Sequence, residues 1–232
     1  MSSARNPVIP LSYPARATID DPGYVRRVPA PFDDRPTLRG RHVELVPLDV
    51  RYVDELVEAA SGDRDTYGFT EVPATRAQMA AYVERFVAQR ERREAVPFVQ
   101  RRVADDRVVG CTRFLELRWW RGRTDPDEVE IGGTWLAADA QRSPVNTEAK
   151  LLLLAHAFDT WGVWRVALCT DARNERSRSA IERIGAQFEG IVRNHRLSTV
   201  DGETGRPRQT ALFSLVVDEW PRVRQRLLDK LG

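Results

Sequence analysis

The chain has 232 residues, of which 42% are hydrophobic and 30% are charged, and its net charge is +2. This length suits one substantial core, the composition excludes a disordered chain, and the charge gives no general attraction for nucleic acid. No run approaches the ~20 apolar residues that cross a bilayer, and the N-terminus lacks a basic-then-apolar secretion signal. We therefore expect a cytoplasmic protein with no nucleic-acid partner and no membrane partner.

The cysteines and histidines predict no metal site. Cys111 and Cys169 are far apart, each in an apolar segment, and we expect both to be buried free thiols. The histidines are isolated from the cysteines and from one another: His42, His156 and His195. Basic residues are almost all arginine, with lysine only at Lys150 and Lys230.

The predicted elements begin after a proline-rich arm. Residues 1–37 hold seven of the fourteen prolines, which favours an extended arm ahead of one domain at 38–232. A strand is predicted at 42–47, helices at 49–60 and 75–93, and strands at 97–103, 107–117 and 128–136. A helix at 147–161, a strand at 165–170 and a helix at 174–184 follow. Strands at 187–195 and 210–217 and a helix from about 219 complete an α/β (α+β) fold around one sheet.

Two strand–loop–helix joints stand out in this order. A loop that leads into a helix presents unpaired amides and the positive end of the helix dipole, which together suit a pyrophosphate. The first joint runs through 130–137 and 141–150. The second runs through 170–177, where Asn174 is a natural N-cap and Ser177 lies on the first turn. The simpler interpretation is that Asn174 only caps the helix and that Ser177 has no special role.

Several ordered motifs resemble one family. They are L-R-G-R-H-V-E-L-V-P-L at 38–48, V-G-C-T-R-F at 109–114, N-T-E-A-K-L at 146–151, R-N-E-R-S at 173–177 and A-I-E-R-I-G-A at 180–186. Together they resemble the GNAT acyltransferase superfamily, specifically its RimJ/RimL-like branch and the subgroup with the Asn-Thr-Glu-Ala-Lys signature. The resemblance covers the chain from Leu38 to its end.

The resemblance implies a GNAT fold, in which a mixed, mostly antiparallel twisted sheet carries helices on both faces. It also implies acetyl-CoA as co-substrate, bound where two strands splay. The pantetheine arm would pair with the strand at Thr134, Trp135, Leu136 and Ala137. The pyrophosphate would meet the loop formed by Gln141, Arg142, Ser143, Val145, Asn146 and Thr147. Asn174 would reach the pantetheine, and Ser177 would lie near the sulfur.

The chain departs from the family pattern at three positions. Pro144 and Asn146 replace small residues of the usual phosphate loop, and Pro144 removes an N–H donor. Gly133 stands where the branch usually has tryptophan, so we expect an acceptor pocket that is wider or refilled from elsewhere.

Acyl transfer needs a neutral amine, an oxyanion donor and a proton for the departing thiolate. Our candidate base is Glu130, with Glu116 or a water chain as alternatives. An equally plausible role for Glu130 is that of a strand carboxylate paired with an arginine. A backbone N–H of residues 134–136 would hold the oxyanion, and Ser177 would protonate the thiolate.

The predicted function is transfer of an acetyl or other acyl group from acyl-CoA to a primary amine. The acceptor, a protein N-terminus or a small-molecule amine, stays open, as does a homodimer built through the arm. One alternative is a catalytically weak acyl-CoA-binding sensor or scaffold. A second, an arginine-rich RNA-binding protein, fits poorly because no aromatic residues are interleaved with basic runs.

Overall fold

The structure, a computed structural model, describes residues 34–200, 202–203 and 205–232. Within them the strands are β1 (Leu38–Arg39), β2 (Val43–Pro47), β3 (Ala95–Arg102), β4 (Val108–Arg118), β5 (Glu128–Leu136), β6 (Arg165–Asp171), β7 (Gln187–Leu197) and β8 (Pro207–Val216). The helices are α1 (Val53–Ala59), α2 (Arg76–Glu91), α3 (Pro144–Ala155), α4 (Glu175–Arg183) and α5 (Trp220–Leu231). The predicted arm lies almost wholly outside the described residues and stays a prediction.

The described strands form one sheet in the order β1-β2-β3-β4-β5-β6-β8-β7. Every neighbouring pair is antiparallel except β5 and β6, which run parallel because α3 crosses over between them. The predicted mixed, mostly antiparallel sheet is confirmed. The chain order of helices and strands is also as predicted, apart from the two-residue strand β1, which is too short to carry an alternation.

Strands β5 and β6 are paired over only the first part of their length. Pairing between β5 and β6 is confined to Glu128–Glu130 of one strand and 165–167 of the other. Beyond these residues β5 continues to Leu136 and β6 to Asp171 without pairing to each other. We call the gap between residues 131–136 and 168–171 the wedge. It is an open stretch of backbone inside an otherwise continuous sheet.

Helices cover both faces of the sheet. Successive residues of a strand point to opposite faces, and Arg113 and Phe114 of β4 show which helices lie on each. Arg113 donates a hydrogen bond to Tyr82 of α2, whereas the Phe114 ring lies 4.7 Å from the ring of Trp161, just beyond α3. One face therefore belongs to α2, which packs with α1, and the other to α3, which packs with α5.

Helix α3 begins three residues before the predicted start at Thr147. Pro144 is its first residue, and the Ser143 hydroxyl caps it by accepting the N–H of Val145 at 3.3 Å. Proline is tolerated at this position because the first N–H groups of a helix have no partner within the helix. The missing N–H of Pro144 therefore costs the helix no internal hydrogen bond.

Candidate functional site: the wedge and its two helix N-termini

The wedge opens at the carboxyl ends of two parallel strands, and each strand leads directly into a helix N-terminus. Gln141, in the loop before α3, ties these segments together. Its Oε1 accepts from Arg176 of α4 at 2.7 Å, and its Nε2 donates to Thr66 Oγ1 and to the Leu136 carbonyl, both at 3.0 Å. The predicted pyrophosphate loop therefore lies beside the predicted pantetheine helix. A crevice of this kind is where open α/β sheets bind ligands.

The loop before α3 has groups suited to a ligand. Arg142 is exposed at a positive φ of 58°, and its guanidinium makes no ion pair within the described part of the chain. Val145 and Thr147 lie on the first turn of α3. Asn146 Oδ1 is buried and has no hydrogen-bond partner among the described residues. A buried acceptor without a donor is costly, so this oxygen suits an N–H or O–H donor of a bound molecule.

The four contact residues predicted at the end of β5 and just after it do not all face the wedge. The Ala137 N–H donates to the Val109 carbonyl of β4 at 2.7 Å, and the Trp135 side chain is buried. Backbone groups alternate in direction along a strand, so Thr134 and Leu136 turn theirs toward the wedge. The Leu136 carbonyl already accepts from Gln141, which leaves Thr134 and the Leu136 N–H as the open positions.

A β-bulge interrupts β5 inside the wedge. Cys111 pairs with Trp135 and Arg113 with Gly132, so the single residue Thr112 opposes two residues of β5, Gly133 and Thr134. Gly133 takes a φ of 57°, a left-handed conformation that glycine adopts without strain. Bulges re-aim backbone groups at functional sites.

The bulge is buttressed by a lysine that the sequence analysis did not select. Lys150 of α3 is 7% exposed, and its Nζ donates a hydrogen bond to Thr134 Oγ1 at 2.7 Å. The Thr134 hydroxyl in turn lies 2.8 Å from Thr112 Oγ1. Burial lowers the pKa of Lys150 to about 7. Two features of the sequence could have pointed to Lys150. It is one of only two lysines among the 36 lysine and arginine residues, and it lies in an apolar helix.

The candidate base Glu130 is paired with an arginine. Its side chain is buried, and its two oxygens accept from Arg196 of β7 at 3.0 and 2.5 Å. Glu116, the alternative base, is half-exposed and lies 3.8 Å from the same guanidinium. The pairing with an arginine, given above as an equally plausible role for Glu130, is thus present.

Neighbouring thiols offer no nucleophile. Burial raises the pKa of Cys111 to about 12 and that of Cys169, which is only half-buried, also to about 12. Both are therefore neutral thiols at physiological pH. The prediction of free thiols is confirmed for both cysteines, but the predicted burial holds only for Cys111.

Asn174 caps α4, as the simpler interpretation expected. Its Oδ1 accepts the Ser177 N–H at 3.0 Å. The side-chain nitrogen Nδ2 of Asn174 and the hydroxyl of Ser177 make no hydrogen bond within the described residues. Capping therefore occupies one end of the Asn174 side chain and leaves the donor end available.

The space left by Gly133 is refilled by Arg113. A Cβ at Gly133 would overlap the Arg113 guanidinium. That guanidinium stacks 3.8 Å from the centre of the Phe86 ring and donates to the Tyr82 hydroxyl at 3.3 Å. Burial raises the pKa of Tyr82 to about 12, so the phenol stays neutral beside the cation. The second of the two outcomes predicted for Gly133 is the one observed.

The described residues hold no cluster of metal ligands and no membrane-spanning helix. Across 34–200, 202–203 and 205–232, no three histidine, cysteine or acidic side chains gather in a way that could hold a metal ion. In the same ranges no helix has both the length and the apolar character needed to cross a bilayer.

Comparisons with known proteins agree with this architecture. A family model described as an acetyltransferase (GNAT) domain matches residues 42–187, more than half of the chain. A GCN5-related N-acetyltransferase from Brucella melitensis is 31% identical with a TM-score of 0.74, over 89% of this chain and 90% of that one. Mycobacterium smegmatis RimJ, solved in complex with CoA-disulfide, is 20% identical with a TM-score of 0.68, over 84% and 93% of the two chains. At that identity the likeness is one of fold.

A Bacillus subtilis protein that bears the name ribosomal N-acetyltransferase YdaF is 34% identical over 95 residues, which are 40% of this chain and 48% of that protein. The match thus spans about half the length of this curated relative. The family suggested by the sequence motifs is confirmed. The chain belongs to the GNAT acetyltransferase family, and its motifs resemble those of the RimJ/RimL-like branch.

Proposed function

We propose that this chain is an acyl-CoA-dependent N-acetyltransferase that transfers an acetyl group from acetyl-CoA to a primary amine. The wedge carries the proposal, because an unpaired β5 edge and two adjacent helix N-termini together suit an extended amide-containing arm that ends in a pyrophosphate. The arm would lie along Thr134 and Leu136, with the Asn174 amide donating to one of its carbonyls. Arg142 and the amides at the start of α3 would meet the phosphates.

The reaction needs one bond to form and one to break. The neutral amine attacks the thioester carbonyl carbon, an amide C–N bond forms, and the C–S bond breaks to release the CoA thiolate. A backbone N–H that turns into the wedge near the bulge would hold the developing oxyanion. Ser177 would donate a proton to the thiolate, and Glu130 would take the amine proton, through a water because Arg196 occupies its carboxylate on one side.

The alternative, a catalytically weak acyl-CoA-binding sensor or scaffold, has one observation in its favour. Both oxygens of Glu130 are engaged by Arg196, so the site would lack a free base if water could not reach the carboxylate. Such a protein would bind acetyl-CoA and release no thiol with any amine.

The decisive experiment combines calorimetry with a thiol-release assay. Titration with acetyl-CoA should give saturable heat, and thiol release should appear when a suitable amine is added. Absence of heat at millimolar acetyl-CoA would overturn the proposal. Heat without thiol release across amino acids, polyamines, peptides and aminoglycosides would favour the sensor.

Two variants of Asn174 locate the arm. Asn174→Ala removes both the helix cap and the amide donor, whereas Asn174→Ser keeps a capping oxygen and removes only the donor. Both should raise the KM for acetyl-CoA by roughly tenfold, the loss expected for one hydrogen bond. Only Asn174→Ala should lower Tm. An unchanged KM in Asn174→Ser would remove Asn174 from the binding site.

A further inference from the structure

Strand register places the candidate base and an arginine on one face of the sheet. Residues directly opposite each other in a sheet point to the same face. Arg113 is opposite Gly132 and Leu115 is opposite Glu130, so Arg113 and Glu130 both lie on the face covered by α2. A Cβ at Gly132 would be 3.1 Å from the Glu130 carboxylate, which agrees with that placement. The side on which the amine proton would be removed is therefore also the side of Arg113.

The Arg113 guanidinium lies against the wedge itself. It fills the space above Gly133, one of the two residues in the bulge. The Phe86 ring supports its flat face and Tyr82 accepts from Nη1, so its orientation is fixed. The side chain is only partly buried. The site thus presents a rigid guanidinium beside the position proposed for the thioester.

Arg113 has no carboxylate partner among the described residues. Arg196 is paired with Glu130 and Arg173 is paired with Asp171, yet no carboxylate lies within ion-pair distance of Arg113 among the described residues. Building an unpaired guanidinium into a partly desolvated site is unfavourable unless a ligand supplies the negative charge.

A second arginine lies on the same face of the sheet. Arg208 is opposite Arg196 and therefore points to the same face, and its side chain donates to the Thr210 hydroxyl at 3.1 Å. Burial and the neighbouring positive charge of Arg196 lower the pKa of Arg208. Arg196 faces two carboxylates, Glu130 and Glu116, whereas Arg208, like Arg113, has no carboxylate within ion-pair distance among the described residues.

We propose that the acceptor amine carries an anionic oxygen group, a carboxylate or a phosphate, and that Arg113 binds this group and so determines specificity. A guanidinium held flat binds such groups through two parallel hydrogen bonds. The inference rests on the proposed acetyl transfer and adds the chemical class of the acceptor.

The test compares matched acceptors that differ only in the anionic group. The pairs are alanine and alaninamide, O-phosphoethanolamine and ethanolamine, and two peptides that begin Ala-Glu and Ala-Gln. For each pair, the ratio of kcat/KM for the anionic to the neutral member is measured in the native protein and in Arg113→Met. Comparing the two proteins cancels the intrinsic reactivity of each amine.

For at least one pair, the ratio should be about tenfold or more higher in the native protein than in Arg113→Met, as expected for a charge-assisted hydrogen bond. The pair that responds identifies a carboxylate or a phosphate. Arg113→Lys should give an intermediate ratio, because it keeps the charge and loses the fork. Arg85→Met is the matched control: Arg85 also lies over Phe86, at 4.7 Å, but is paired with Glu71. Its ratios should equal those of the native protein.

Equal ratios in the native protein and Arg113→Met for all three pairs would overturn the inference while leaving acetyl transfer intact. If none of the pairs is acetylated, the same probes are compared by the Tm shift each gives to the CoA-saturated protein. Equal shifts within every pair would also overturn it. Absence of heat with acetyl-CoA overturns the proposed function instead, so the two failures are distinguishable.

Discussion

The Glu148 carboxylate lies in the space that a side chain at Gly40 would occupy. From there it accepts three backbone N–H groups, those of Arg41, His42 and Val43, at 2.8, 2.6 and 2.8 Å. The glutamate of the Asn-Thr-Glu-Ala-Lys segment thus fastens the turn between β1 and β2 to helix α3. The same helix begins at the proposed phosphate loop, so this contact also fixes the position of the site.

Glu148→Gln should destabilise the fold by about 3 kcal/mol, because the amide replaces a charged acceptor of three donors and turns an NH₂ group toward them. The free energy of unfolding in urea measures the loss. Glu84→Gln, on the exposed side of α2, is the control and should change stability by no more than about 0.5 kcal/mol. A similar, small effect of both substitutions would show that the three bonds contribute little.

Lys150 gives stability a specific pH dependence. Its pKa is about 7 in the folded protein, against an ordinary value of 10.5, so the unfolded chain holds the proton more tightly. Between these two values the unfolded state binds more protons, and stability rises with pH; below pH 7 both states are protonated and the full penalty of burying the charge applies.

Lys150→Met removes this penalty. The variant should therefore be more stable than the native protein at pH 6, and the difference should shrink by a few kcal/mol as the pH rises toward 10. Urea unfolding from pH 6 to 9.5 provides the measurement. Lys230→Met removes the other, exposed lysine and should show a much weaker trend. A stability difference that does not vary with pH would mean that Lys150 is not titrating in this range.

The elements of the fold followed from local patterns, whereas the contacts of the site did not. The alternation of residues along the strand located β5. The cap residue Asn174 located the start of α4, because it bonds a residue only three positions away. The partner of Glu130 lies 66 residues further along the chain, and an arginine-rich sequence offers many candidates. A local pattern cannot choose among them, since the choice depends on how β6 and β8 separate β5 from β7.

The contact at Gly133 could not be predicted from local sequence either. The missing tryptophan was visible in the sequence, but the side chain that fills its place comes from the adjacent strand. The bulge at Gly133 and Thr134, opposite Thr112, brings Arg113 to this place by changing the register of β4 and β5. The only sign of this bulge in the sequence is the glycine itself.

Gly133 and Arg113 should be energetically coupled. Gly133→Ala forces a non-glycine residue into a left-handed conformation and into the guanidinium, so it should cost about 2 kcal/mol or more in the native background. In the Arg113→Met background the overlap is relieved and mainly the backbone strain should remain. A double-mutant cycle of unfolding free energies measures this coupling. Additive effects would place the guanidinium away from Gly133.

The roles of Glu130 can be separated by comparing it with its partner. As a base, Glu130 matters most where the amine is protonated, because an α-amine with a pKa near 8 is only about 10% neutral at pH 7 and is mostly neutral above pH 9. Glu130→Gln should therefore lower kcat by about 100-fold at pH 6.5 and by much less at pH 9.5, within the range known for general bases. Arg196→Lys keeps a cation beside the carboxylate and loses the forked pair, so it should lower kcat by a factor that depends little on pH. Profiles of kcat against pH for the two variants provide the measurement. If kcat falls by a factor independent of pH in both variants, Glu130 serves only to hold Arg196 in place, and a water chain accepts the proton.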